Sequence, residues 1–392
     1  MKHTLKILTL LLAAVVSMTA CDPEKNNNGD GDALVYLVAG SAAPASPVTA
    51  RYSTDAERDA LLDRLCDYAE EGKAVTFYGA PASRRQGSAR TKEATTITTT
   101  SREELKAWMA QMEDDGRTVT VTYNSATGTW SGRAYTRPPQ PVAEEGPRVS
   151  RVTFDYSYDS TGIMGQEEHV VYTYTWDGER LTMVETMEQW WTRFADGSTG
   201  DTSVNHGYIQ CAYNGDQRVS AGNIRYAYLG GLLVQEWHGY GGRNVSYTYI
   251  YDDEGHIVDY VITDTVTRDW GWEEEVTMPG YHIEWENGDA VRAYGDDRET
   301  PMWTYEYDES LRPRGVTLGI TTLLPGFAYI FEPLTQWSRH NITLMHFNGN
   351  DNSWIDQTVT YTYDSAGRPI SATLPHGLDG GYGHWTFEYL DE

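Results

Sequence analysis

The sequence predicts two architectures in series. An α+β unit with the ferredoxin-like order β-α-β-β-α-β comes first. A mainly antiparallel, all-β hairpin-repeat unit follows, forming an open or half-closed curved sheet. Three observations predict this. A helix-then-strand pattern occurs twice at a fixed spacing, with Gly72 repeated at Gly116. The phrase Tyr-x-Tyr-Asp-x-x-Gly recurs beyond residue 149. A Pro-rich stretch, 137–148, separates the two regions and reads as an extended, semi-rigid linker.

The chain opens on an export signal. Lys2, His3 and Lys6 precede an uncharged apolar run from Ile7 to Val16, followed by Ser17-Met18-Thr19-Ala20-Cys21. Such a run is far shorter than the ~20 residues a membrane helix needs, so it reads as a cleavable leader over 1–20. Small residues before a cysteine resemble a lipobox, in which Cys21 becomes the acylated first residue of the mature chain. That makes the lipid bilayer its first partner, since acyl chains anchor at about 0.8 kcal/mol per buried methylene. Residues 21–32, with Asp22, Glu24, Asp30 and Asp32 and hardly an apolar side chain, read as a disordered tether. The early acidic residues resemble the export tags of Bacteroidota surface lipoproteins, which implies an outer-membrane protein facing the medium. In enterobacterial lipoproteins an Asp directly after the cysteine instead marks inner-membrane retention.

In 33–136, the first helix is predicted to start at Thr54, with Glu57 completing a capping box, and to carry Leu61, Leu62, Leu65, Cys66 and Ala69 on one stripe. The second starts at Ser101 with Glu104, then Leu105, Trp108, Met109 and Met112. Gly72 and Gly116 stand where a left-handed residue ends a helix. Alternating strands follow at Lys73–Tyr78 and Arg117–Tyr123. Further strands at Leu34–Val38 or Val48–Tyr52, at Thr95–Thr100, and finally at Thr129–Tyr135 complete the unit. The loop 79–91, with Arg84, Arg85 and Arg90, carries the one basic cluster and reads as solvated.

Beyond the linker, in 149–392, the phrase occurs at Tyr156–Gly162, Tyr249–Gly255 and Tyr361–Gly367. Weaker copies lie at Trp176-Asp177-Gly178, Tyr213-Asn214-Gly215, Trp285-Glu286-Asn287-Gly288 and Tyr305–Asp308. Tyr at i and i+2 share one strand face, Asp starts the turn, and Gly supplies positive φ. Each copy is therefore one antiparallel hairpin. The phrase resembles the YD-repeat family, related to RHS repeats, as found in Bacteroidota lipoproteins. Irregular spacing, and a full Gly-Arg only at Gly367-Arg368, depart from that pattern and point to a smaller sheet than the closed RHS shell.

Composition narrows the function. Asp and Glu number 57 against 30 Lys and Arg, a net charge of −27, which excludes nucleic acid as a partner. The 10 His show no zinc spacing, and neither nucleophile elbow, P-loop nor dinucleotide fingerprint occurs. No cofactor or metal is expected. Asn348–Asn352 departs from a calcium loop and reads as a turn. Asp159-Ser160-Thr161, Asp264-Thr265-Val266 and Asp364-Ser365-Ala366 resemble the O-glycosylation sequon of Bacteroidota. Cys66 and Cys211 read as buried free thiols. Among 13 Trp, most are expected to build core, while Trp270 and Trp272, on one strand face, are the candidate ligand-binding pair. The sequence thus points to a non-enzymatic binding or adhesive surface module taking an extracellular glycan or a host or neighbour protein. A cell-surface hydrolase of glycan or peptide is the alternative.

Overall fold

The structure, a computed structural model, describes residues 32–39, 48–80, 95–124, 127–135, 146–159, 164–229, 231–240, 243–252, 254–268, 272–295, 299–314, 338–348, 354–374 and 381–390. It is mainly antiparallel β, with two helices and three open sheets among these residues. The leader, the tether with Cys21, the basic loop and most of the Pro-rich stretch lie outside the described residues.

The first sheet contains β1 (Asp32–Ala39), β2 (Val48–Tyr52), β3 (Ala74–Ala80), β4 (Thr95–Thr99), β5 (Thr118–Asn124) and β6 (Thr129–Tyr135), with helices α1 (Asp55–Glu70) and α2 (Arg102–Asp114). Both helices begin as their capping residues dictate. Thr54 Oγ1 accepts from Glu57 N at 3.3 Å, and Ser101 Oγ accepts from Glu104 N at 3.3 Å. Both end alike as well: Gly72 and Gly116 adopt φ of 82° and 67°. Lys73 N then reaches Tyr68 O at 3.0 Å, and Arg117 N reaches Met112 O at 2.9 Å.

The strand order corrects the ferredoxin-like expectation. The sheet runs β2-β1-β3-β5-β6-β4, six strands, every ladder antiparallel. In a ferredoxin-like sheet each β-α-β unit lends a strand to the gap in the other. Here β1 fills the gap of β2-α1-β3, and β6 fills that of β4-α2-β5, so the two units stay whole and meet through β3 and β5. Leu34–Val38 and Val48–Tyr52 are both strands, not alternatives.

Charges tie the units with the same near-symmetry. Arg58 in the first turn of α1 reaches Glu113 at the end of α2 (2.9 Å), and Arg102 in the first turn of α2 reaches Asp67 (2.8 Å) and Glu70 (2.6 Å) at the end of α1. Arg58 and Glu113 are 4% and 6% exposed, and Tyr52 donates its hydroxyl to the same carboxylate.

The sheet is covered on both faces. Leu34, Val75, Phe77, Val119 and Val121 pack with the helical residues Leu61, Leu62, Leu65, Leu105 and Met109. Alternate residues turn the other way: Leu37 and Tyr78 join the core of the hairpin region, and Thr76, Thr118, Thr120 and Thr122 are buried beside them. The Tyr135 hydroxyl, also buried, donates to Tyr251 O at 2.8 Å.

The hairpin region begins with β7 (Val149–Asp159), β8 (Met164–Asp177), β9 (Arg180–Phe194) and β10 (Thr199–Asn214). The meander continues through β11 (Gln217–Ala221), β12 (Ile224–Leu229), β13 (Leu232–Tyr240), β14 (Arg243–Tyr251), β15 (Ile257–Arg268) and β16 (Trp272–Pro279). A five-stranded sheet follows in chain order: β17 (His282–Glu286), β18 (Asp289–Tyr294), β19 (Pro301–Leu311), β20 (His340–Asn348) and β21 (Trp354–Thr358). The chain then rejoins the large sheet through β22 (Thr360–Tyr363), β23 (Pro369–Leu374) and β24 (Tyr382–Tyr389), the last pairing with β7. The large sheet thus has 13 strands, from β16 at one end to β22 at the other.

The smaller sheet is joined to both ends of the larger. At one corner Gly280 N donates to Tyr260 O at 2.7 Å, and a Cβ at Gly280 would meet the Tyr260 ring at 2.4 Å. At the other, buried Val359 links β21 directly to β22, with its N–H on Thr343 O at 2.8 Å. Asp308 accepts there from Asn341 Nδ2 at 3.2 Å and from the Tyr363 hydroxyl. One apolar cluster spans both sheets, from Phe154, Tyr249 and Trp385 to Trp303 and Tyr305.

The recurrent phrase builds one turn twice. Asp252 Oδ1 accepts from Glu254 N and His256 N, and Asp364 Oδ1 accepts from Ala366 N and Arg368 N, all at 2.9 Å. The other carboxylate oxygen meets His256 Nδ1 (3.2 Å) or Arg368 Nε (2.8 Å). Gly255 and Gly367 stand at φ of 90° and 78°. Cys66 and Cys211 are buried and unbridged, and burial pushes the Cys66 thiol up to about 11.

Two stability outcomes follow. Glu113→Ala removes the buried partner of Arg58, which keeps Asp59 at 2.8 Å, and should lower unfolding free energy by about 1.5–3 kcal/mol in urea titration. Gly367→Ala forces an L-residue into left-handed backbone and should cost about 1–2 kcal/mol in the same measurement, although no neighbour crowds the added methyl.

Candidate functional site: an aromatic and carboxyl row on the inner face of β7–β10

Period-two alternation assigns the faces of β8 and β9. Val170, Tyr172 and Tyr174 face the core, as do Phe154 and Val152 on β7 and Val184 on β9. Polar residues on these same faces break the apolar pattern, and Glu168 and Glu188 are the two that carry a carboxyl. Tyr156, Glu168, Trp190 and Ser203 stand opposite one another across four strands, and the next row reads Trp385, Phe154, Val170, Glu188 and Asn205. One face therefore passes from stacked Phe154 and Trp385, 4.7 Å between centroids, to a carboxyl pair beside an indole.

Trp190 is 47% exposed, against 3–8% for Trp108, Trp130, Trp303 and Trp385. Its neighbour Trp191 points to the opposite face, where its Nε1 donates to Glu167 at 3.0 Å and Arg193 meets the same carboxylate at 2.7 Å. Glu168 and Glu188, diagonal on adjacent strands, hydrogen-bond to one another. Burial first, and then the Glu188 carboxyl, push Glu168 up to about 7. Burial and both carboxyls raise the Tyr172 phenol as well. The raised Glu168 carboxyl can thus be present as a hydroxyl donor near neutral pH, beside the open indole face of Trp190.

Of the residues expected from sequence, Cys21 and Trp270 lie outside the described residues. Trp272 opens β16, opposite Arg268, on the terminal strand of the large sheet and far across it from β9. Trp285 is structural: its Nε1 donates to Ile257 O at 2.7 Å and its ring stacks on His256 at 4.8 Å. Asp264 is buried within β15, while Asp364 sits in its turn as read. Residues 349–352 lie outside the described residues, and no group of three His, Cys, Asp or Glu suited to a metal occurs among those described. Glu168 and Glu188 were missed by sequence reasoning. Their signal is a Glu at an inward position, in step with Val170, Tyr172 and Tyr174 on β8 and with Val184 on β9.

No family model and no curated protein matches the chain. Among solved structures, the crystal structure of a porin-like protein from Bacteroides uniformis is similar over 61% of this chain and 98% of that one, at 15% identity and a TM-score of 0.38. A likeness at that score leaves the function to be argued from the residues.

The carboxyl pair has a pH signature. Glu168 moves from its ordinary 4.5 to about 7 on folding, so the native state holds a proton that the unfolded chain releases within that range. Its contribution is fully present below 4.5 and is lost as pH rises through about 7. Glu168→Gln should remove that loss. In paired melts, the variant should gain on the wild type as pH is raised from the acid side of this window to its alkaline side.

Proposed function

We propose that this chain is a lipid-anchored, non-enzymatic surface module that binds carbohydrate on the face formed by Trp190, Glu168 and Glu188. The observation that carries the reading is the half-exposed Trp190 directly opposite Glu168, on a strand face that elsewhere is core. A pyranose ring offers an apolar C–H face and a rim of hydroxyls. An indole takes the first, and the Glu168 and Glu188 carboxyls with Asn205 and Ser203 alongside take the second. The lipobox at Cys21 and the acidic tether support attachment to the outer membrane with the module displayed to the medium. Trp270 and Trp272 are a separate candidate, of which Trp272 opens β16 at the end of the large sheet.

The hydrolase alternative draws no support from this pair. Glycosidic cleavage uses carboxyl groups about 5–9.5 Å apart, with the scissile bond or a water between them. Glu168 and Glu188 touch one another instead.

A glycan array probed with the chain freed of its leader tests the reading. Retention of neutral glycans is expected, with Trp190→Ala weakening binding at least about tenfold, on the order of 1.4 kcal/mol. Glu188→Ala should weaken it too, while Trp191→Ala on the opposite face should not. Binding that survives Trp190→Ala unchanged would move the site elsewhere, and an empty array would remove the carbohydrate reading.

A further inference from the structure

β10 is much longer than the strand that follows it. β9 pairs with it from Thr199 to Gln210, whereas β11 reaches only Cys211 to Asn214. Among the described residues, the outer edge of 199–209 has no ladder partner, apart from a bond from Gly222 N to Gln210 O at its very end. Natural sheets protect such an edge with Lys, Pro or very short length. After Asp201 this one runs Thr202-Ser203-Val204-Asn205-His206-Gly207-Tyr208-Ile209-Gln210, with no Pro, Lys, Arg, Asp or Glu. It also carries the two most exposed large apolar side chains of the described protein, Tyr208 at 73% and Val204 at 50%.

Val204, His206 and Tyr208 share one face of the strand, the face opposite to Ser203 and Asn205. Their spacing makes the edge self-complementary. When an antiparallel copy of the strand is centred on His206, residue 204 of each copy falls opposite residue 208 of the other. That gives two Val–Tyr cross-strand pairs, a favourable β-branched and aromatic combination at about 4.5–5.5 Å between Cβ atoms. On the other face Asn205 falls opposite Gly207 and Ser203 opposite Ile209. No pair in this register places like carboxylates or ammoniums together. An antiparallel edge paired with itself is isologous and closes after two copies.

We propose that β10 is a homodimer interface, in which two copies of this chain join edge to edge in the register centred on His206 and merge their large sheets. The occupant is a second copy because the edge complements itself in both charge and apolar pairing. The merged sheet carries Trp190 of one copy and Trp190 of the other on one face, with only the two β10 strands between them. Each copy carries a net charge of −27, so the pairing strengthens with added salt.

Sedimentation equilibrium of the mature chain with Cys21→Ser, which stays in solution, reads the association. The expected result is a reversible dimer whose fraction rises with ionic strength. Val204→Lys with Tyr208→Lys places ammonium opposite ammonium twice and should return the chain to a monomer. Val204→Lys with Tyr208→Glu places ammonium opposite carboxylate twice and should restore the dimer. All these positions are exposed, and far-ultraviolet circular dichroism checks that both variants keep the fold. A wild-type chain that is monomeric at every concentration and salt level overturns the proposal. So does a Lys/Lys variant that dimerises as well as the wild type, or a Lys/Glu variant that stays monomeric.

Discussion

A sheet of 13 strands has more face than its own side chains can keep from water, and the rest of the molecule is arranged around covering that face. Period-two alternation sends every second residue of β7–β16 to one side, so an uncovered sheet would leave Phe154, Val170, Tyr174, Tyr249 and Tyr260 in solvent. The five-stranded sheet, attached at both ends through Gly280 and Val359, supplies one cover. The amino-terminal sheet supplies another, which explains why β3 and β5 are buried on both faces while their helices cover only one. The stripe of Thr76, Thr118, Thr120 and Thr122 on the second face fits the same account. β-branched side chains suit a strand, and the Thr76 and Thr122 hydroxyls pair with one another at 3.3 Å.

Cover runs out at the far ends of β8, β9 and β10. Alternation persists there, so inward positions are still inward, but Trp190 stands 47% exposed. Trp190 and Glu168 occupy such positions, and β10 loses its outer neighbour over the same stretch. Both the proposed carbohydrate face and the proposed dimer edge are therefore consequences of one length mismatch: a long β8–β10 group beside a short β11.

Local features were legible in the sequence because local physics sets them. The caps at Thr54 and Ser101, the left-handed Gly72 and Gly116, and the Asp-x-x-Gly turns are each fixed by a few neighbouring residues. Strand order was not legible. Whether β1 lies inside β2-α1-β3, or β4 does, depends on contacts between distant residues, and both arrangements satisfy the same alternation. The carboxyl pair was hidden for another reason. With 57 acidic residues, proximity in sequence carries no information about proximity in space. Only the face assignment shows that Glu168 interrupts an apolar series running through Val170, Tyr172 and Tyr174.

The acidity of the chain gives these two surfaces a common character. A net charge of −27 repels anionic polymers and other copies of the chain alike, so contact requires places where charge is withheld. Residues 202–210 withhold it by composition. Glu168 withholds part of it by protonation, since burial and the Glu188 carboxyl raise it to about 7, where it is half ionised. A neutral sugar meets no repulsion at such a face, whereas a polyanionic one still meets the field of the whole molecule. The raised Glu168 carboxyl and the charge of the chain therefore both favour the proposed neutral glycan over a polyanionic one.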